Sequence, residues 1–224
     1  MRTILNPVDQ PAHASLVEKK SEFIGDAAHI DSLEDALAFV ETIRERHPKA
    51  RHVAYAAVIG GADGRLSERM SDDGEPSGTA GKPILDVLRQ SGSTDCVVAV
   101  TRYFGGILLG SGGLVRAYSS AASLAMKAAA TASIVPCRRY RLVLDYPQLA
   151  RLRQLLAQSD GTQDQETYTD KVELVVAVPV EGAARFEERV RESFNAALIP
   201  EPLDCVNRAV PDAGSGADAG PIGV

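Results

Sequence analysis

The chain has 224 residues, 45% of them hydrophobic and 24% charged, with a formal net charge of −6. That length supports one or two domains with real cores, and the composition is ordinary for a soluble globular protein. Residues 1–137 carry 14 Lys and Arg against 16 Asp and Glu, and the remainder 10 against 14, which excludes the overall basic excess of a typical nucleic-acid binder.

No apolar run approaches the roughly 20 residues that cross a bilayer. Residues 1–20 hold no apolar stretch of secretory type, so a cytoplasmic location away from membranes is expected. Cys96, Cys137 and Cys205 are far apart and odd in number, which argues against disulfide and zinc frameworks.

Taken in chain order, residues 15–26 read as an opening strand centred on Phe23 and Ile24. Asp31-Ser32-Leu33-Glu34-Asp35 reads as a helix start. Leu33, Leu37, Phe39, Val40 and Ile43 then form an apolar stripe with steps of three and four. His47-Pro48 ends that helix, because the residue before proline disfavours the helical region. Residues 52–59 are strand-like, residues 60–64 turn-like, and residues 66–70 form a short further segment.

Two glycine-rich loops follow, each opening into a helix. The first is Ser71-Asp72-Asp73-Gly74-Glu75-Pro76-Ser77-Gly78-Thr79-Ala80-Gly81, before a helix-like segment from Lys82 in which Pro83 suits the first turn. Residues 96–101 are a β-rich run extended by Arg102-Tyr103-Phe104. The second loop is Gly105-Gly106-Ile107-Leu108-Leu109-Gly110-Ser111-Gly112-Gly113, before an Ala-rich helix over about 114–130. A helix start presents unpaired N–H groups and positive dipole charge, and glycine lets an anion approach them. Neither a Walker loop nor a clean dinucleotide fingerprint is present.

A boundary is expected near residues 134–137. A second unit then reads as strand, helix over 148–158, strand or hairpin over 162–179, and helix over 183–197, which is close to a ferredoxin-like order. The small polar residues of 209–224 read as a flexible tail outside the core.

The chemical candidates each carry two readings. Arg102 and Arg116 flank the second loop. An arginine at a helix start opposes the dipole and asks for an anion, either a phosphate or an internal carboxylate such as Asp72, Asp73 or Glu75. The acidic trio resembles a divalent-cation cluster, yet such residues among Gly and Pro also suit turns, and no metal is expected. Ser77 and Thr79 could aim hydroxyls at a ligand or cap the helix. His52 could face the same surface or be an ordinary half-buried histidine. Tyr103, Phe104 and Tyr118 could stack on a base or fill the core. Cys96 begins a buried strand and reads as packing.

The two loops together, from Ser71 to Gly81 and from Arg102 to Tyr118, resemble the IMPACT/YigZ family. Ser21-Glu22-Phe23-Ile24 and the strand at His52 fit its earlier elements. The likeness spans roughly residues 15–130, and residues 138–205 resemble the small C-terminal domain of bacterial members. After His52 the chain has Val53-Ala54 where many relatives carry a polar residue and a cysteine, which argues against thiol chemistry there.

The resemblance implies an α+β protein. Residues 1–137 would form an IMPACT-type, two-layer α/β domain like domain IV of elongation factor G, and residues 138–208 a ferredoxin-like domain. Eukaryotic relatives modulate a translation-stress kinase, which points to a non-enzymatic binding protein linked to translation and in contact with RNA or the ribosome. Its phosphate contacts would be the helix start at Gly112 and Gly113 with Arg102, Arg116 and Lys82. One alternative is a regulator that binds a translation-related protein. Another is a small-molecule enzyme without a cofactor, using His52 with Asp72, Asp73 and Glu75.

Overall fold

The structure is a computed structural model and describes residues 1–60 and 65–211. Two compact units divide between Ser133 and Ile134. The mixed α+β, two-domain architecture expected from the sequence is present.

In the first unit, β2 (Ala12–Glu18), β3 (Ser21–His29), β4 (His52–Gly60), β5 (Leu66–Ser71) and β6 (Cys96–Tyr103) form an antiparallel sheet in the order β2-β3-β6-β4-β5. A short β1 (Arg2–Ile4) pairs with residues 131–133. The expected single opening strand is a hairpin. Its turn is Lys19-Lys20, with φ of 46° and 65°, so two lysines adopt the left-handed region that Gly or Asn normally signals.

Three helices pack on this sheet: α1 (Leu33–Arg46), α2 (Gly81–Ser91) and α3 (Ser111–Ala128). Ser32 caps α1 by accepting from the Asp35 N–H, and His47 closes it. Ala54, Ala56, Val98 and Val100 share one buried cluster with Ile84, Leu88 and Ala121, whereas Val53, Tyr55, Val97 and Ala99 share another with Phe39, Val40 and Ile43. The central strands are therefore apolar on both faces. The unit has three layers where two were expected, because α1 covers the face opposite α2 and α3.

Helix α3 lies unusually close to β3. A Cβ at Gly25 would stand 2.7 Å from the Ala121 carbonyl oxygen, and Ala121, Ala122 and Ala125 are fully buried against the sheet. The small side chains of this helix set its approach distance.

In the second unit, β7 (Thr131–Leu144), β8 (Thr162–Tyr168), β9 (Val172–Pro179) and β10 (Glu201–Pro211) are ordered β10-β7-β9-β8. Helices α4 (Leu149–Ala157) and α5 (Val180–Ser193) bury Leu152, Leu156, Phe186 and Val190 against Leu142, Leu174 and Val176. With β10 the order becomes strand-helix-strand-strand-helix-strand, the ferredoxin-like arrangement. The tail expected from residue 209 begins as strand up to Pro211, and from residue 212 it lies outside the described residues, as does most of the turn expected at 60–64. Among the described residues no helix is long and apolar enough to cross a membrane.

Candidate functional site

Strand register brings the candidate residues to one end of the first unit's sheet. Leu16 pairs with Phe23, Phe23 with Arg102, and Arg102 with His52. That rung spans three strand spacings, about 14 Å. Both glycine-rich loops approach this end, the first from β5 and the second from β6.

The first loop is held internally. Asp72 accepts the N–H groups of Gly78, Ala80 and Gly81 at 2.8, 3.0 and 2.8 Å, so its carboxylate occupies the start of α2 where an external anion would sit. Burial raises the Asp72 pKa, but the three N–H donors outweigh it and hold the carboxyl below its ordinary value. Asp73 binds the Arg44 guanidinium through both oxygens, at 3.1 and 3.0 Å, and accepts the Val53 N–H at 2.6 Å. Burial again opposes ionisation of Asp73, and its bonds to Arg44 and Val53, with the charges of Arg44 and His52, bring its pKa below the usual range.

Glu75 is buried beneath the loop. Its Oε1 accepts from Arg102 at 2.6 Å and from the Tyr118 hydroxyl at 2.8 Å. Burial, then the charge of Glu75, raises the Tyr118 pKa, which keeps the phenol protonated as the donor. His52 places Nδ1 2.7 Å from the Asp73 carbonyl oxygen, so Nδ1 carries the proton. Thr79 is buried and donates to the Pro76 carbonyl at 2.6 Å, while Ser77 is exposed. The acidic trio thus serves three different sets of partners. Among the described residues no group of three or more His, Cys, Asp or Glu could hold a metal ion.

Arg102 joins the two loops. Its guanidinium lies 5.5 Å from the ring centres of both Phe23 and Phe104, between a buried ring and one that is 52% exposed. Its Nε is buried and has no hydrogen-bond partner among the described residues. Arg51, His52, Arg102, Phe104 and Leu108 line a cavity of about 180 Å³ at this point. Three basic side chains around one cavity suit a small anionic group, with the Arg102 guanidinium held in place by its pair with Glu75.

The second loop is open. Gly110, with φ of 72°, precedes α3 and offers no side-chain cap. Gly112 is exposed, and Gly113 packs its Cα against Leu109, since a Cβ there would lie 2.9 Å from the Leu109 Cβ. Arg116 is exposed, has no ion pair among the described residues, and lines a separate groove of about 220 Å³ with Leu16, Glu18 and Gly113. Lys82 is exposed on the first turn of α2. The loop is pinned at Gly105, whose N–H donates to the Ser21 hydroxyl at 3.1 Å and whose Cβ would collide with the Lys20 carbonyl oxygen at 1.9 Å.

The sequence reading brought forward Arg102, His52 and the acidic loop, and these do meet at one end of the sheet. It missed Arg51, Leu108 and Arg44. Arg51 carries a weak signal, since it immediately precedes a strand whose first residue was already a candidate. Arg44 carries none, because it sits on a helix 29 residues away from the Asp73 that it binds.

Comparison with known proteins places these features. Residues 19–126 match the Impact N-terminal domain, and residues 142–197 match a domain of unknown function (DUF1949). The chain is 43% identical over 180 residues to IMPACT family member YigZ of Escherichia coli, covering 80% of this chain and 88% of that one. It is 34% identical over 188 residues to IMPACT family member YvyE of Bacillus subtilis, covering 84% and 86%. A solved crystal structure of a hypothetical protein aligns with a TM-score of 0.58 at 38% identity, covering 91% of this chain and 97% of the other. With both domains matched and the likeness running through the two signature loops, the chain belongs to the IMPACT family.

Proposed function

We propose that this chain is a non-enzymatic, cytoplasmic binding protein linked to the regulation of translation, and that it contacts RNA phosphates at the sheet end built from β4, β6 and the second glycine-rich loop. The observation that carries this reading is the cavity that Arg51, His52 and Arg102 line together with Phe104, which gathers three basic side chains at this end of the sheet. Arg116 and Lys82, exposed at two helix starts, supply further positive charge and have no ion pair among the described residues. The translation link is supported by the signature loops and their resemblance to a family whose eukaryotic members act on a stress kinase. The absence of enzyme chemistry is supported by Asp72, Asp73 and Glu75, each already engaged by internal donors.

The test is fluorescence anisotropy with short single- and double-stranded RNA across a salt series. The expected result is salt-dependent binding, with the slope of log affinity against log salt reduced by about one for each phosphate-contacting residue removed. Arg51→Ala and Arg116→Ala are the informative variants, because both side chains are exposed and their loss leaves the fold intact. Salt-independent binding, or equal binding by the double variant, removes this site from the reading.

A second reading is favoured by one further observation. Phe104, Ile107 and Leu108 are 52%, 43% and 82% exposed on one loop, an apolar tip suited to a protein surface. Absence of RNA binding at low salt, with loss of a translation-related protein partner in a Leu108→Asp variant, would favour a protein-interaction regulator.

A further inference from the structure

The end of β6 adds an aromatic surface to the cationic one. Phe104 directly follows the strand and is 52% exposed, while its ring lies 5.5 Å from the Arg102 guanidinium. That guanidinium is itself fixed, because it rests on the buried ring of Phe23 at 5.5 Å and pairs with Glu75 at 2.6 Å. Phe23 in turn meets the Tyr118 ring edge-on at 5.2 Å. Phe104 is therefore the outermost layer of a stack anchored in the core, and little of its freedom is left for a ligand to remove.

The cavity beside it is about 180 Å³, smaller than the roughly 300 Å³ at which sites begin to enclose a whole small molecule. It suits one unit of a longer chain. Its wall is mixed, with Phe104 and Leu108 alongside Arg51, His52 and Arg102. A duplex would set riboses and phosphates against the two apolar side chains, because its bases are stacked inside it. An unpaired base instead brings a π-face to Phe104 and leaves its phosphates to the cations.

Cations stand on both sides of that ring. Strand order puts β3 on one side of β6 and β4 on the other, about 10 Å apart. Arg51, exposed, immediately precedes β4. On the β3 side the hairpin turn is Lys19-Lys20, and Gly105, the residue after Phe104, packs against the Lys20 carbonyl. Both lysines are exposed, have no ion pair among the described residues, and hold a left-handed backbone that costs a lysine more than a glycine. The acids of this end are otherwise placed. Glu75 is engaged by Arg102 and Tyr118, Glu18 lines the separate groove with Arg116, and Glu22 falls on the opposite face of β3 from Phe23.

We infer that Phe104 is a stacking platform for one unpaired nucleobase, with Arg51 and the Lys19-Lys20 turn taking the phosphates on either side of it, so that the RNA contacted here is single-stranded. This inference rests on the reading of the same end of the sheet as an RNA contact.

The test is fluorescence anisotropy of the full chain at low salt with three probes of equal charge: a single-stranded oligouridylate of about 12 nucleotides, an abasic strand, and a duplex. The expected result is that the oligouridylate binds about tenfold more tightly than the other two, a gap of about 1.4 kcal/mol. Phe104→Leu keeps an apolar side chain at an exposed position and should lose about fivefold or more for the oligouridylate alone, with the salt slope unchanged, while Phe104→Trp should restore or tighten binding. The double variant Lys19→Gln/Lys20→Gln should lower the salt slope by about one to two and leave the preference over the abasic strand intact. Salt-dependent binding that is equal for all three probes, or that Phe104→Leu leaves untouched, overturns the platform while the phosphate contact stands. An unchanged slope in the lysine variant overturns the two-sided arrangement. Absence of binding to all three at low salt overturns both the platform and the RNA reading beneath it.

Discussion

The two glycine-rich loops look alike as sequence and behave as opposites in the fold. The first spends every carboxylate on an internal donor: Asp72 on the start of α2, Asp73 on Arg44 and Val53, Glu75 on Arg102 and Tyr118. The second leaves the start of α3 without a side-chain cap and exposes Phe104, Ile107 and Leu108. Glycine content alone does not separate a structural loop from a ligand-facing one. What separates them is whether acidic side chains of the same chain already sit at the positive end of the helix.

This contrast predicts a graded response to substitution. The largest effect belongs to Glu75→Ala, which strands the Arg102 charge in a site where it is 8% exposed. A loss of about 3–5 kcal/mol in chemical denaturation is expected, as for one partner removed from a buried pair. A small loss would mean that Arg102 turns out to solvent, and the two loops would be less different than the structure indicates.

Next comes Gly105→Ala, the one point where the second loop behaves like the first. With the Cβ directed at the Lys20 carbonyl, about 1–3 kcal/mol should be lost, and the β2–β3 turn should show it first in amide exchange. Asp72→Ala should follow, at about 1 kcal/mol, the usual value of a helix cap, because its N–H partners stand at the start of α2.

Acid should reach the first loop before the second. The folded pKa of Asp73 is depressed, so its stabilisation is fully present above the unfolded value of about 3.9 and is lost as pH falls through the folded one. Asp73→Asn should therefore be less stable at neutral pH and show a flatter stability profile below about pH 4. A parallel profile would remove the Arg44 bond from the account. The smallest effect is Leu108→Ala, within about 0.5 kcal/mol by thermal melting, since its 82% exposed side chain has little packing to lose.

Much of this was legible in the chain. Ser32, His47 and the stripe through Phe39, Val40 and Ile43 gave α1 its ends and its buried face, because capping and periodicity act locally. The third layer was harder to see: Val97 to Val100 is a continuous apolar run, and only its two-sided burial shows that a helix lies on each face. Strand β10 lacked a pattern, since most of its residues are exposed. The turn at Lys19-Lys20 lacked the usual residues. At the site, an internal carboxylate for Arg102 was one of the two readings, but which of the three acids it would be was not legible, because Glu75 and Arg102 are 27 residues apart and meet only in the fold.

The close fit of α3 over Gly25 makes that helix a lever. A single methyl group added at position 25 has the Ala121 carbonyl oxygen 2.7 Å away and can be accommodated only by parting the helix and the strand. The helix begins at Ser111, ten residues from that fulcrum, or about 15 Å along its axis. Its tip carries the second glycine-rich loop, so a change in the deepest part of the core is delivered as a displacement at the surface. The geometry of the open loop can thus be tuned from position 25 without altering any residue that a ligand would touch.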